Sequence, residues 1–254
     1  MRLFNIILIL TITIFTALAE TPDEGMYPLN EISKIDFKDK GLKIDVKDIY
    51  NGNNLSLIDA IVKIGGCTGS FVSPQGLIIT NHHCAYRAAQ SASDKTHDYI
   101  QNGFIARNRS EEIIAKGYTI RITQSYKDVS NDVLSVINNK MSPTQRRKAI
   151  DKKRKELVKQ IEEKNKGLRA EVAEMFIGKS YVLFVYSYFK DVRLVYVPPR
   201  SIGNFGGETD NWEWPRHTGD FSLLRVYTAP DGSPAEYSKD NVPLKPKKYL
   251  KVSP

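Results

Sequence analysis

The segment Gly66–Cys84 constrains the fold more than any other part of the sequence. Two β-rich runs, Ser70–Ser73 and Leu77–Thr80, flank Pro74-Gln75-Gly76. Ser-Pro-Gln-Gly is typical of a type I turn, which takes Pro at its second position and Gly at its fourth. The pattern predicts a β-hairpin whose second strand brings Asn81-His82-His83-Cys84 to one end of a sheet.

The beginning of the chain has the pattern of a secretory signal. Arg2 precedes an apolar run that reaches Leu18, and Ala17-Leu18-Ala19 has the small-x-small pattern of a cleavage site. We therefore expect residues 1–19 to be a cleaved signal peptide; the alternative is an uncleaved anchor. No later run is long and apolar enough to span a membrane, so we expect no membrane span in the rest of the chain.

Export determines how the two cysteines are interpreted. Cys67 and Cys84 are the only cysteines in the sequence, and in an oxidising compartment such a pair is expected to form a disulfide. The bridge would close the hairpin and contribute roughly 3 kcal/mol by the chain-entropy argument. A reduced pair in the cytosol would have suggested metal or redox chemistry instead.

The net charge of +8 comes from one segment. Residues 140–169 contain twelve Lys or Arg against four acidic residues, which accounts for the whole excess. The composition of Pro143–Phe176 predicts a helical excursion ending near Gly178, with this charge on a solvated face. Contact with acidic lipid or another part of the protein is the alternative. We expect no nucleic-acid partner, because the chain is exported and no aromatic residues interleave with the basic ones.

The remaining pattern is mostly that of strands. Ser56–Ile64 predicts a short amphipathic helix capped by Ser56. Runs rich in β-branched and aromatic residues at Tyr181–Phe189, Val192–Pro198 and Phe221–Thr228 predict strands, and Asp231-Gly232 predicts a turn. The sum is a mostly antiparallel β domain that carries one long helical excursion.

The residues around the second cysteine suggest a general base. A hairpin that ends in T-x-x-H-C, with its cysteine tied back to the hairpin's start, resembles half of a chymotrypsin-type β-barrel, and this makes His83 the base. The alternatives are a packed strand end or a metal site formed by Cys67, His82, His83 and Cys84. Adjacent residues on a strand point to opposite faces, so His82 and His83 cannot easily converge on one ion, and we predict no metal. We also expect no other cofactor.

A histidine base of this kind needs a carboxylate that orients it and stabilises the imidazolium. The candidates lie within Gly203–Tyr227. Asp220 immediately precedes a predicted strand, which would place it at the mouth of that strand, and we favour it on this ground. Asp210 and, less strongly, Glu208 remain alternatives at this point.

Several segments together resemble the bacterial dipeptidyl-peptidase 7 and dipeptidyl-peptidase 11 family of serine exopeptidases. The segments are GGCTGSFVSPQGLIITNHHCAY, HDYIQNGFIARNRSEEI and GGETDNWEWPRHTGDFS, with Asp23-Glu24-Gly25-Met26 and Asp48-Ile49-Tyr50 before them. The resemblance implies a chymotrypsin-like fold with two barrels, of which this chain would form the first. It also implies peptide substrates, a periplasmic location and a homodimeric full-length enzyme.

Residue by residue, the resemblance implies that His83 is the general base and Asp220 its orienting acid. Asn211 and Trp212 match the positions that hold the free N-terminus of the substrate. Trp214 we expect to be a core aromatic, which is the commoner position of tryptophan.

The chain departs from the family's pattern in one respect. Family members are more than twice as long, with a helical domain and a second barrel that carries the serine, and no G-x-S-G-type loop occurs here. We therefore expect residues 20–254 to be the N-terminal part of the catalytic domain, inactive by itself and lacking the nucleophile. The alternatives are a non-catalytic peptide-binding remnant and a fragment of a trypsin-like or Do-like endopeptidase.

Overall fold

The computed structural model describes residues 29, 32, 35–51, 54–165 and 167–252; the predicted signal peptide, residues 1–19, lies outside them. The chain divides into two compact units, Met1–Val46 and Lys47–Pro254. In the first unit the described residues include a turn closed by a hydrogen bond from the Leu42 amide to the Phe37 carbonyl (2.9 Å). No helix among the described residues has the length and apolar character needed to cross a membrane.

The second unit contains nearly all of the regular structure. The strands are β1 Ile61–Ile64, β2 Cys67–Phe71, β3 Leu77–Thr80, β4 Phe104–Ile105, β5 Ile113–Ile114, β6 Ile120–Asp128, β7 Leu168–Phe176, β8 Ser180–Phe189, β9 Val192–Val197, β10 Ser222–Thr228 and β11 Val242–Pro243. The α-helices are α1 Val46–Ile49 at the boundary between the units, α2 His82–Ala92, α3 Tyr99–Asn102, α4 Ser130–Leu134, α5 Pro143–Lys164 and α6 Arg200–Gly203. Short 3₁₀ helices form at Leu57–Ala60, Arg109–Glu111 and Thr209–Trp212.

The strands pair antiparallel and form a ring. β1 pairs with β2 and β6, β2 with β3, β3 with β10, β10 with β9, and β6 with β8. Only Lys190 and Asp191 separate β8 from β9, so these two strands act as one bent strand that joins both ends of the ladder. The ring therefore has six members, and the predicted mostly β, barrel-type fold is confirmed.

The ring encloses the main core. Successive residues of a strand point to opposite faces, and on β1 and β3 every second residue is buried while the others are more exposed. The buried apolar side chains inside the ring come from all six members and from α2. They include Val62, Ile64, Phe71, Ile78, Ala85, Ala89, Ile120, Phe189, Val192, Leu194, Leu224 and Val226.

An extension built from β7, β8 and α5 carries a second, smaller core. Buried Val129, Val133, Val172, Tyr181 and Leu183 pack there against the apolar positions of α5. The helix begins where the sequence predicts, with Pro143 as its first residue, and none of its residues is buried. Its charged residues therefore lie on a largely solvated helix.

The predicted end of the helical excursion is wrong. The helix ends at Lys164, and Leu168–Phe176 is strand β7 rather than the last turns of the helix. This segment has helix-favouring composition, but β7 pairs with β8 along its whole length and buries Val172. The ladder hydrogen bonds and this burial outweigh an intrinsic preference of only tenths of a kcal/mol per residue.

The predicted helix at Ser56–Ile64 is also wrong in part. Only Leu57–Ala60 is helical, as a single 3₁₀ turn, and its start is fixed by hydrogen bonds from the Ser56 amide and hydroxyl to Asp59 (2.8 and 3.2 Å). Ile61–Ile64 is strand β1, because its β-branched residues pair with β2 and bury Val62 and Ile64. A four-residue run is too short for its periodicity to distinguish the two structures.

The hairpin of β2 and β3 is fastened to β10. The Arg225 guanidinium donates to the Gln75 carbonyl (2.7 Å), and the Val226 amide donates to the Gly76 carbonyl (3.1 Å). Gly76 has a φ of +67°, and a Cβ there would lie 2.8 Å from the Val226 carbonyl oxygen, so only glycine fits. The strand that follows Asp220 and the hairpin that leads to His83 are thus held in one register.

Candidate active site

The two histidines after β3 lie in the first turn of a helix. Asn81 directly follows the end of β3 at Thr80 and is the N-cap of α2, which begins at His82. The residues thus follow the second strand of the hairpin as predicted, but the assumption that His82 and His83 themselves lie on a strand is wrong. The physical reason is that the sheet ladder stops at Thr80, which pairs with Ser222. The chain then turns into a helix whose alanines pack on the core.

A disulfide fixes this helix start to the sheet. Cys67, the first residue of β2, is bonded to Cys84 in α2, 17 residues later. The Tyr118 hydroxyl adds a second attachment, because it donates to the Cys84 carbonyl (2.8 Å) and accepts from the Ala88 amide (3.3 Å). The backbone that carries His83 is therefore held from two sides.

We expect this disulfide to make a measurable contribution to stability. Closing a loop of 17 residues should raise the free energy of unfolding by roughly 3 kcal/mol. The Cys67→Ser/Cys84→Ser variant should therefore unfold at a lower denaturant concentration than the wild type. The intact mass of the unreduced wild-type protein should be two hydrogens below that of the reduced chain. The wild-type protein kept reduced is the matched control. Labelling of both thiols in unreduced wild-type protein would contradict the prediction.

His83 and Asp220 are in direct contact. Nδ1 of His83 lies 3.1 Å from Oδ2 of Asp220, and the His83 backbone amide donates to Oδ1 (3.2 Å). The Asn81 side-chain amide donates to Oδ2 (3.0 Å) and to the Asp220 carbonyl (3.3 Å). The carboxylate thus receives hydrogen bonds on both oxygens, and it also lies at the positive end of helix α2.

These contacts determine the charge of Asp220. Burial by itself would raise the pKa of this carboxyl, but the His83 amide, the Asn81 side chain and the charge of His83 together lower the pKa below its ordinary value of 3.8. Asp220 is consequently an anion at neutral pH. An anion held at Nδ1 favours the tautomer whose proton is on Nδ1, which leaves Nε2 as a free base.

The other side of the imidazole is open. The His83 side chain is 69% exposed, whereas that of Asp220 is only 17% exposed. Asp220 is the one hydrogen-bonding partner of the His83 ring among the described residues. The pair borders a depression of about 280 Å³ that is also lined by Gly203, Asn204, Phe205, Gly207, Glu208, Arg216 and Thr218. The geometry is that of a base with its acceptor nitrogen directed toward solvent.

The other acidic candidates are placed differently. Glu208 lines the depression but makes no hydrogen bond or ion pair with His83 among the described residues. Asp210 lies in the 3₁₀ helix Thr209–Trp212, and its side chain lies outside what the structure describes. The structure therefore brings Asp220, the residue favoured from the sequence, to His83.

The two residues matched to the substrate's N-terminus lie on a surface segment. Asn211 and Trp212 belong to the 3₁₀ helix Thr209–Trp212; the side chain of Asn211 lies outside the description, and Trp212 is 84% exposed. Trp214 is 91% exposed, so its prediction as a core aromatic is wrong. Residues 204–219 contain turns, bends, one short 3₁₀ helix and irregular chain, and both rings are largely open to solvent.

The potential metal ligands near His83 are not free. His83, Cys67 and Cys84 have ligand atoms within 4.8 Å of one another, but the two sulfurs are bonded to each other. A disulfide offers no thiolate, which is the form of cysteine that ligates metals. His82 is not part of this group; it is 2% exposed and packs edge-on to Tyr86.

Sequence reasoning missed the role of Asn81. Asn81 belongs to the motif around His83, and the preference for Asn at helix N-caps is enough to explain an asparagine at this position. Instead its side chain makes no capping bond to its own helix and donates to Asp220, 139 residues away. Only the spatial proximity of β3 and β10 shows this contact.

In comparisons with known proteins, the matching family and the similar relatives are all peptidases. A sequence model of the family described as Peptidase S46 matches residues 22–254. Dipeptidyl-peptidase 7 of Capnocytophaga gingivalis is 46% identical over 235 residues, which is 91% of this chain and 33% of that protein. An Asp/Glu-specific dipeptidyl-peptidase of Porphyromonas gingivalis is 43% identical, again over 91% of this chain and 33% of that protein.

A solved structure matches the fold as well. The crystal structure of Porphyromonas endodontalis DPP11 in complex with the dipeptide Arg-Asp superposes with a TM-score of 0.82 at 41% identity, and the match covers 91% of this chain and 34% of that one. The chain therefore spans about a third of the length of the relatives that it matches.

Proposed function

This chain belongs to the peptidase S46 family, and from that premise we propose that it supplies the general base and the orienting acid of a serine-type dipeptidyl-peptidase. The observation that carries the proposal is the contact between His83 Nδ1 and the Asp220 carboxylate (3.1 Å), with the rest of the imidazole open to the depression. In the proposed enzyme the nucleophilic serine comes from a part of the protein outside this chain.

The proposed chemistry follows from the two ends of the imidazole. Nε2 of His83 accepts the proton of the serine hydroxyl as the oxygen attacks the carbonyl carbon of the second peptide bond. The imidazolium that forms is stabilised by Asp220, which accepts the Nδ1 proton in a hydrogen bond without taking it. His83 then gives its proton to the leaving amine, and water hydrolyses the dipeptidyl ester by the same route.

The distinction from an endopeptidase rests on Asn211 and Trp212. A substrate ammonium group carries three donors and one charge, and removing it from water is costly unless acceptors replace the water. In the proposed site Asn211 offers its carbonyl oxygen, and Trp212 offers an aromatic face, an interaction of about 0.5–2 kcal/mol. Trp212 is well exposed in this chain and is thus available for such a contact.

We expect Asn211→Ala to weaken recognition of the free N-terminus selectively. A hydrogen bond to a charged group is typically worth about 1.5–3 kcal/mol, so kcat/KM for peptides with a free N-terminus should fall by roughly 10- to 150-fold. N-acetylated peptides should already be poor substrates and should lose little more. The measurement is kcat/KM for matched free and acetylated peptides on both proteins.

The two exposed tryptophans provide a matched comparison for the same site. Trp212→Ala should reduce kcat/KM for free peptides, while Trp214→Ala, which removes an equally exposed ring two residues away, should have a smaller effect. Equal losses on free and acetylated peptides in Asn211→Ala would mean that Asn211 does not recognise the amine, and the exopeptidase assignment would lose its support.

The cellular setting belongs to the same proposal. We infer that residues 1–19 direct export, that the mature protein works in the periplasm, and that the full-length enzyme is a homodimer. The relatives with known names come from bacteria, and a disulfide in the structure fits an oxidising compartment.

The experiment that tests the function uses the whole protein that carries this chain. It is incubated with a pool of hexapeptides that vary at the second residue, in free and N-acetylated form, and the products are identified by mass spectrometry. Release of dipeptides from the free peptides alone is the expected result. Internal cleavage of acetylated peptides would instead indicate an endopeptidase, and binding without cleavage would indicate a peptide-binding protein.

A further inference from the structure

His82 is a buried ionisable group that the chemistry above does not use. The residue lies beside His83 in the first turn of α2, is 2% exposed, and its Nε2 has no hydrogen-bond partner among the described residues. Buried polar atoms are normally hydrogen-bonded, so one that is unpaired calls for an explanation. Since Nε2 makes no polar contact in the described part of the chain, we look for the role of His82 in the packing of its ring.

The backbone of Gly203 packs directly on the His82 ring. A Cβ at Gly203 would lie 2.6 Å from Cγ and Cδ2 and 2.8 Å from Nδ1 of His82, closer than real Cβ atoms come to a neighbour. Gly203 is therefore required by space rather than by its dihedral angles. The ring serves as a flat support under the end of helix α6.

This support is connected to the segment that precedes Asp220. The Thr218 hydroxyl lies 3.1 Å from both the Ile202 and Gly203 carbonyls, and the Gly219 amide donates to the Ile202 carbonyl (2.9 Å). Gly219 also packs closely on the Ile202 side chain. Residues 202–203 and 218–219 thus form one unit, and Asp220 is the next residue.

We propose that His82 is a positioning residue for the His83–Asp220 pair: its ring supports Gly203 and, through Thr218 and Gly219, holds the Asp220 carboxylate in line with Nδ1 of His83. This inference rests on the proposed function, because the pair matters for rate only if His83 acts as a base. The connection from ring to carboxylate is short and consists of packed backbone, the Thr218 hydroxyl hydrogen shared between two carbonyls, and the Gly219 hydrogen bond.

The ring acts through its shape and in its neutral form. Burial lowers the pKa of His82; the Asp220 charge opposes this effect and the His83 charge adds to it. A neutral flat ring without polar partners at Nε2 can be replaced by another flat ring. Phe is therefore the conservative substitution, and Ala removes the support.

The test compares His82→Ala and His82→Phe in the whole protein, with kcat and KM measured separately on a free peptide below the unfolding temperature of each variant. We expect His82→Ala to lower kcat about 100-fold, the usual effect of displacing a reacting group by about 1 Å, and to leave KM nearly unchanged. His82→Phe should retain most of the wild-type kcat. Gly203→Ala, which pushes on the ring from the other side, should lower kcat as His82→Ala does.

The matched control is His97→Ala, an exposed histidine that contacts Asp94 on its own surface loop. It should leave both constants unchanged. A wild-type kcat in His82→Ala, or an equal loss in His82→Phe and His82→Ala, would overturn the proposal. If His82→Ala does not fold, the other two variants decide. A large loss of kcat in His82→Phe, or a wild-type kcat in Gly203→Ala, would then overturn the proposal. His83→Ala, measured alongside, separates this outcome from a failure of the proposed function, since an active His83→Ala protein would remove the premise itself.

Discussion

His83→Ala in the whole protein should lower kcat on the order of a million-fold, with a much smaller change in KM. Removing the base from a serine, histidine and aspartate mechanism costs about as much as removing all three groups, because they act as a unit. Among the described residues no other histidine ring is hydrogen-bonded to Asp220, so none is placed to take over the role of His83. The expected residual rate is that of peptide binding and oxyanion stabilisation alone.

The measurement is single-turnover and steady-state hydrolysis of one free peptide by the purified wild-type and variant proteins. His97→Ala is the matched control, because His97 is also largely exposed and also lies close to an aspartate, Asp94 (3.2 Å), three residues away. It should have the wild-type kcat. Dipeptide release by His83→Ala at more than about one hundredth of the wild-type rate would exclude His83 as the base.

Asp220→Asn should lower kcat about 10,000-fold at neutral pH while the protein remains folded. The carboxylate accepts from the His83 amide on Oδ1 and from Asn81 and His83 Nδ1 on Oδ2. An amide has only one acceptor oxygen, so its NH₂ group must face a donor on one side. It therefore either loses the His83 amide or forces His83 into the tautomer whose Nε2 already carries a proton.

The same variant has a pH signature in stability. The pKa of Asp220 is lower in the folded protein than its ordinary 3.8. The carboxylate therefore stabilises the fold above that ordinary value, and this contribution is lost as the pH falls through the lowered pKa. The difference in unfolding temperature between wild type and Asp220→Asn should shrink as the pH falls below about 4. For the kcat measurement, the control is Asp94→Asn, which changes the aspartate in contact with His97. A kcat for Asp220→Asn within tenfold of wild type would contradict the assignment of Asp220 as the acid that orients His83.

The sequence was sufficient where local pattern and tertiary structure agree. The hairpin, the strands that form β8, β9 and β10, and the start of α5 all have the predicted type, because alternating burial and capping signals are local. The strand β7 was missed because its partner β8, and not its composition, decides its structure. The same holds for β1, which is too short to show its period.

The sequence indicated the two residues of the candidate pair, but not the contacts of Asn81 and His82 that surround the pair. The motif around His83 and the position of Asp220 before a strand indicated the pair, and the structure shows the direct contact between His83 and Asp220; Glu208 makes no such contact among the described residues. Asn81 and His82 occupy the same motif, but their contacts with Asp220 and Gly203 join segments more than 100 residues apart. No periodicity or spacing in a single sequence encodes such contacts.

The ring of strands has a consequence for how the protein matures. The two members of the His83–Asp220 pair are 137 residues apart, and they meet only when β10 takes its place beside β3. Pairing of such distant segments comes late in folding, because the entropy of closing the intervening loop must be overcome first. A partly folded chain therefore carries an imidazole without its anion. The His83–Asp220 pair therefore forms only when β10, the last strand of the ring in chain order, has paired with β3.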